Sequence, residues 1–163
     1  MFEIIALIAN VSLALSFIVA LVFGIAQVRA AARDRRERLT LETLDDFQTR
    51  EFSELIHYIA THTVPSSEQE LRALPDNEQV ILIQFAQQME GLGILVAEKL
   101  INIDLVDKTL GSFVTTSWEK YKAMFVNMRE EEPYSAEYFQ WLAEQIEKRM
   151  RDKPRKPFYQ TGA

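Results

Sequence analysis

Hydrophobic and polar positions divide the chain at one place. Residues 4–28 carry no charge, and their only polar side chains are Asn10, Ser12, Ser16 and Gln27; Glu3 and Arg29 bound the run. A helix rises about 1.5 Å per residue and the hydrocarbon core of a bilayer is about 30 Å thick, so roughly 20 such residues cross it. The run exceeds that length and predicts a transmembrane helix. A cleaved signal peptide would begin with cations, carry a shorter apolar core and end on small residues free of neighbouring charge. Here the start is acidic, and Arg29 and Arg33 bracket Ala30, Ala31 and Ala32.

Beyond the run the pattern changes to amphipathic helix. Residues 29–47 lack Pro and Gly and are rich in Ala, Arg, Leu and Glu, which predicts that the spanning helix continues as a stalk. Leu41, Leu44 and Phe47 mark its domain-facing stripe, and Phe52, Leu55, Ile56 and Ile59 continue the helical spacing. Residues 62–77, with Pro65, Pro75 and paired serines, read as a connection holding a short helix at 68–73. Asp76 followed by Gln79 forms a cap-like start for a long helix with Val80, Ile83, Phe85, Met89, Leu92, Leu95 and Val96 on a broad apolar surface. Gln84, Gln87, Gln88, Glu90, Glu98 and Lys99 interrupt that surface too often for a second span, since a charge at mid-membrane costs about 2.5–3.5 kcal/mol. Gly91 and Gly93 each weaken a helix by about 1 kcal/mol relative to Ala and so mark close approach of another helix or a local bend.

Asn102 or Asp104 can cap the next helix, which turns Leu105, Val106, Leu110, Phe113, Val114, Trp118, Tyr121, Phe125 and Met128 inward. Residues 130–133 end it. Ser135 can cap a last helix carrying Tyr138, Phe139, Trp141, Leu142 and Ile146, and Pro154 and Pro157 release the tail. No stretch alternates like a strand, and no internal repeat is visible. The expected fold is all-α: one N-terminal transmembrane helix continuing into a stalk, then a small cytoplasmic bundle of four to five helices. Its expected divisions are 1–28, the N-terminal segment and span; 29–47, a basic helical stalk; 48–152, the helical domain; and 153–163, a basic tail containing proline.

Charge adds an orientation. Arg29, Arg33, Arg35, Arg36 and Arg38 follow the span at once, and Lys and Arg near a span stay on the cytoplasmic side. This predicts a single-pass protein of the bacterial inner membrane with its N-terminus outside and its C-terminal domain in the cytoplasm. The absence of cysteine agrees with a reducing compartment. Residues 39–147 hold 20 acidic and 7 basic side chains, whereas residues 148–156 hold six basic ones against Asp152. An acidic body argues against nucleic acid as a partner. Arg29, Arg33, Arg35 and Arg36, with Lys153, Arg155 and Lys156, are candidate contacts to anionic lipid, where each cation adds about 1 kcal/mol. For the C-terminal group the other reading is a solvated helix end favoured by the helix dipole.

Candidate chemistry is sparse. Ser12, Ser16, Ala20 and Gly24 recur every fourth position, a spacing that lets two membrane helices approach closely, and Asn10 could add an interhelical hydrogen bond. The plain alternative is chance, because small residues are common in such helices. Glu54 and His57 have the spacing at which one helix offers two metal ligands, but the ligand set is incomplete, and a surface Glu beside a half-buried His is the favoured reading. Neither a phosphate-binding loop nor a nucleophile with a neighbouring histidine is present. Glu90 falls within the most apolar helix and needs a cation or a neighbouring helix as partner. The aromatics around Trp118 and Trp141 have core spacing. The sequence thus predicts no enzyme and no cofactor. It predicts an interaction or sensory module touching membrane lipid and a protein partner or a second copy. The alternatives are a tethered enzyme using Glu54, His57 and Glu90, and an accessory subunit of a larger membrane complex.

One span, an Arg-rich exit and a helical domain bearing Phe47, Glu51-Phe52, Phe85, Glu90-Gly91-Leu92-Gly93, Ile103-Asp104, Trp118 and Tyr138-Phe139-x-Trp141-Leu142 resemble a bacterial family, the domain of unknown function numbered four-seven-six-zero. The resemblance covers nearly the whole chain. It implies a membrane-anchored helical protein of unassigned role and brings no catalytic residues with it.

Overall fold

Apolar residues at spacings of three and four wind the chain into six α-helices among the residues that the computed structural model describes, 2–154 and 158–160. They are α1 (Phe2–Asp46), α2 (Arg50–Thr61), α3 (Glu68–Arg72), α4 (Asp76–Ala97), α5 (Ile103–Met128) and α6 (Glu137–Asp152), followed by one 3-10 turn, Phe158–Gln160. The fold is all-α, with no strand among the described residues.

Two units are present, Met1–Arg38 and Leu39–Ala163. The first is a single helical stretch of α1. Its most apolar window has a mean hydropathy of 2.6, and none of that window is buried.

The second unit takes in the last turns of α1. Thr40 and Leu44 are buried there, and the Thr40 hydroxyl oxygen accepts the backbone N–H of Asn102 at 2.9 Å. Leu41, expected inward, is exposed: Thr40 and Leu44 stand four apart on the inner stripe, and Leu41 turns off it. Helix α6 lies against α4 and α5, while α2 packs on the same pair and α3 on α5. An aromatic chain runs through this core. Phe47 meets Phe52 edge-on at 4.8 Å, Phe52 and Phe85 stack at 6.1 Å, Phe85 and Tyr121 at 5.8 Å, and Tyr121 and Trp118 both reach Phe139. The Tyr121 hydroxyl donates to the Leu82 carbonyl at 2.9 Å, which satisfies the one polar atom of a wholly buried ring.

Several inward assignments shift by part of a turn. The buried row of α4 is Leu82, Phe85, Ala86, Met89, Leu92, Gly93 and Val96, a 3.6-residue period that leaves Val80 and Ile83 exposed. In α5 the same geometry puts Val106, Leu110, Val114, Trp118, Tyr121 and Phe125 inside and Phe113 at the surface. Start signals fare unevenly. Thr49 caps α2, Ser67 caps α3 and Asn102 caps α5, the last by accepting from the Asp104 N–H at 2.8 Å. Pro75 rather than Asp76 occupies the cap position of α4, and Gln79 instead donates its side-chain amide to the Leu74 carbonyl at 2.8 Å.

Candidate functional site

The start of α6 is built from two other helices. Its cap residue, Ala136, has left-handed backbone angles (φ 50°, ψ 39°) and no side-chain cap. Ser135, expected to cap the helix, lies one residue too early and turns its hydroxyl toward Glu132 at 3.4 Å. Glu90 of α4 does the work instead: its two carboxylate oxygens accept the backbone N–H groups of Tyr138 at 3.2 Å and Phe139 at 2.7 Å. A carboxylate at the first turn satisfies donors that have no partner within the helix and complements its dipole. Gly93, one turn further along α4, permits this approach, because a methyl group there would collide with the Tyr138 backbone. Gly91 faces open space. Arg129 fixes the chain entering α6, donating to the carbonyls of Ser135 at 2.8 Å and Ala136 at 3.0 Å and to the Gln140 side chain, with its guanidinium 5.9 Å from the Trp118 ring centroid. The partner expected for Glu90 on a neighbouring helix is therefore found. Both its oxygens are engaged in structure.

The histidine region is held differently. Glu54 accepts from Arg50 at 2.7 Å, and His57 is exposed, so the spaced pair is not gathered into a ligand set. Both residues, with Tyr58 and His62, line an open groove of about 590 Å³. The Tyr58 hydroxyl donates to Glu78 at 2.6 Å while its ring stacks on His62 at 4.0 Å. Loss of solvent, then the bond to Glu78 and its charge, push this phenol up to about 12. Lys120 of α5 donates its ammonium to the carbonyls of Ile59, Ala60 and His62, closing the C-terminal end of α2. The Ser117 hydroxyl donates back to carbonyls of its own helix, as do Thr115 and Thr116. Among the described residues no group of three or more His, Asp or Glu side chains has a metal-binding arrangement.

On α1, Asn10, Ser12, Ser16, Ala20 and Gly24 are all exposed, and the Ser16 hydroxyl donates to the Ser12 carbonyl at 2.8 Å. Arg29, Arg33, Arg35 and Arg36 are exposed as well, Arg33 pairing with Glu37 at 2.9 Å. Lys153 is exposed at the end of α6; Arg155 and Lys156 lie outside the described residues. Sequence reasoning missed Lys120 and Arg129. Apart from the Gln140 side chain on Arg129, their acceptors are backbone carbonyls, which leave no mark in side-chain spacing.

No curated protein and no solved structure matches this chain. A family match covers residues 12–146, beginning inside the apolar run and extending through most of α6. Several of the residues that carry the resemblance are packing groups: Phe47, Phe52, Phe85, Trp118 and Phe139 belong to the aromatic chain, and Glu90 and Gly93 receive the start of α6, whereas Glu51 and Asp104 are exposed and Gly91 faces open space. The chain belongs to the family described as Domain of unknown function (DUF4760).

Proposed function

We propose that this chain is a single-pass protein of the bacterial inner membrane, with its N-terminus outside, whose cytoplasmic helical domain works by contact with a protein partner. The observation that carries this reading is the uncharged surface of residues 4–28, which nothing in the described chain covers. An apolar surface of that extent is stable in lipid or against other helices and not in water. The arginines that follow it supply the orientation. The non-catalytic part of the reading is supported by how the reactive side chains are spent: Glu90 on backbone amides, Glu54 on Arg50, and Ser117 on its own helix.

The test is alkaline carbonate extraction of membranes from cells expressing the chain with different tags at its two ends. Both tags should stay in the membrane pellet, and protease added to spheroplasts should remove only the N-terminal one. Release by carbonate, loss of the N-terminal tag on maturation, or digestion of the C-terminal domain from outside would each overturn the anchor or its orientation. Pairing of spans through Ser12, Ser16, Ala20 and Gly24 is part of the same proposal. Ser16→Ile with Gly24→Ile should lower self-association in a membrane reporter.

A further inference from the structure

We propose that one end of the second unit, the end holding the last turns of α1, docks on the anionic lipid of the membrane that carries the chain. Its contacts are Lys99, Lys108, Lys148 and Lys153, with Leu100 as an apolar tip. This rests on reading residues 4–28 as an anchor and gives the domain a lipid surface to bind. Contacts within the unit gather this end. The Thr40 hydroxyl takes the N–H of Asn102, which joins the last turns of α1 to the start of α5. Asp104 at that start pairs with Arg149, which brings up the end of α6. Lys108, Lys148 and Lys153 then line one cleft of about 410 Å³ together with Arg149. Lys99 and Leu100 occupy the turn between α4 and Asn102, and both are exposed.

Pairing among the neighbours leaves these lysines free for a partner. Asp104 and buried Asp107 both face Arg149, Asp107 at 3.9 Å, and Asp152 lies 3.8 Å from Arg151. Glu98 and Glu147 stand beside the lysines in sequence and are exposed. Of the seven cations in residues 39–147, Arg50 and Arg72 pair with glutamates one turn away, and Lys120 and Arg129 are engaged by carbonyls. That leaves Lys99, Lys108 and Lys122 outside any ion pair among the described residues, and Lys148 and Lys153 are in the same condition. The dipole of α6 accounts for Lys148 and Lys153 at its end. It does not account for Lys108, near the start of α5, where a dipole favours anions.

Charge and tether together select lipid. An anionic surface attracts this end and repels the acidic remainder of the body, which fixes how the domain meets it. Thr40 follows Val28 by twelve positions, so even a fully extended chain keeps this end within about 43 Å of the apolar run. Headgroups are therefore at a high effective concentration, which no free acidic partner enjoys. Each lysine brought to an anionic leaflet strengthens binding about five-fold. Leu100 can enter the headgroup boundary between them.

The absence of cysteine lets single reporters be placed at will. Full-length Leu100→Cys carrying an environment-sensitive dye is reconstituted in vesicles of phosphatidylcholine, alone or with phosphatidylglycerol in both leaflets, so that the result does not depend on the direction of insertion. Its emission should rise about two-fold with phosphatidylglycerol and return to the neutral-vesicle level in strong salt. Changing Lys108, Lys148 and Lys153 to Gln should abolish the rise, while Lys122→Gln should leave it intact. A dye at Tyr134→Cys, exposed beyond the other end of α5, should not respond. Equal response at Tyr134→Cys, a response indifferent to those lysines, or none at all would overturn the proposal. Flotation of the same vesicles reads the anchor separately. Chain that floats with neutral vesicles while its dye stays silent in anionic ones defeats docking alone, whereas chain that does not float with neutral vesicles defeats the anchor whatever the dye reports.

Discussion

Glu90 and Gly93 stand three residues apart on one face of α4 and meet the first turn of α6 with opposite contributions, a pair of acceptors and an absence of bulk. Glu90→Gln keeps the shape but weakens charge-assisted bonds, and should lower unfolding free energy by about 1–2 kcal/mol in denaturant titrations. Gly93→Ala places a methyl against backbone that cannot swing aside and should cost about 3 kcal/mol. Gly91→Ala, two positions away in open space, should instead stabilise by up to about 1 kcal/mol through helix propensity. Equal responses of the two glycines would refute the packing account. At this scale the sequence disclosed that Glu90 needed a partner and that Gly91 and Gly93 marked a close approach or a bend, of which the structure shows the approach at Gly93 alone. It did not disclose which helix came near, because Tyr138 and Phe139 contribute only their backbone N–H groups, which every residue but proline possesses.

The helices themselves were largely legible from spacing and caps, down to the short α3 between the prolines. Which face of each turned inward was less so. Val80, Ile83 and Phe113 fit an apolar stripe on a helical wheel, and the orientation of α4 and α5 is decided by the wider rows containing Leu82, Met89, Val114 and Tyr121. Two tyrosine hydroxyls tie α4 to its neighbours, Tyr121 of α5 to the Leu82 carbonyl and Tyr58 of α2 to Glu78, and both titrate only in alkali. The phenols of Tyr58 and Tyr121 both lie above the ordinary value of 10.0, burial being the first cause for each. Below pH 10 both states hold these protons and stability is unaffected. Above it the unfolded chain releases protons that the folded chain keeps, so stability falls from pH 10 toward pH 12. Circular dichroism across that window should show loss of helix, and Tyr121→Phe should make the loss shallower.

The whole molecule divides at residue 38, and the domain needs the end of α1 for its own core. A fragment beginning at Leu39 retains Thr40 and Leu44 and should melt cooperatively as a water-soluble helical domain. One beginning at Phe47 loses both, leaves the Asn102 N–H without its acceptor, and should be less stable by about 3–5 kcal/mol in the same thermal melts. The long apolar helix, the all-helical class and the acidic body could be read from composition and period. The packing of α6 on both α4 and α5 could not, since it joins segments some 45 residues apart through shape and through bonds, such as those of Glu90 to backbone N–H groups, that side-chain spacing does not record. That separation matters while the chain is being made. Helix α4, whose most apolar 18-residue window has a mean hydropathy of 1.5, leaves the ribosome well before α6 and presents a stretch long enough to enter the bilayer. Glu90 near its centre makes entry unfavourable by about 2–3 kcal/mol. Under the proposed single-span topology, the carboxylate that receives α6 in the finished fold would also hold the nascent chain back from a second crossing, and Glu90→Leu should yield a fraction of molecules threaded twice.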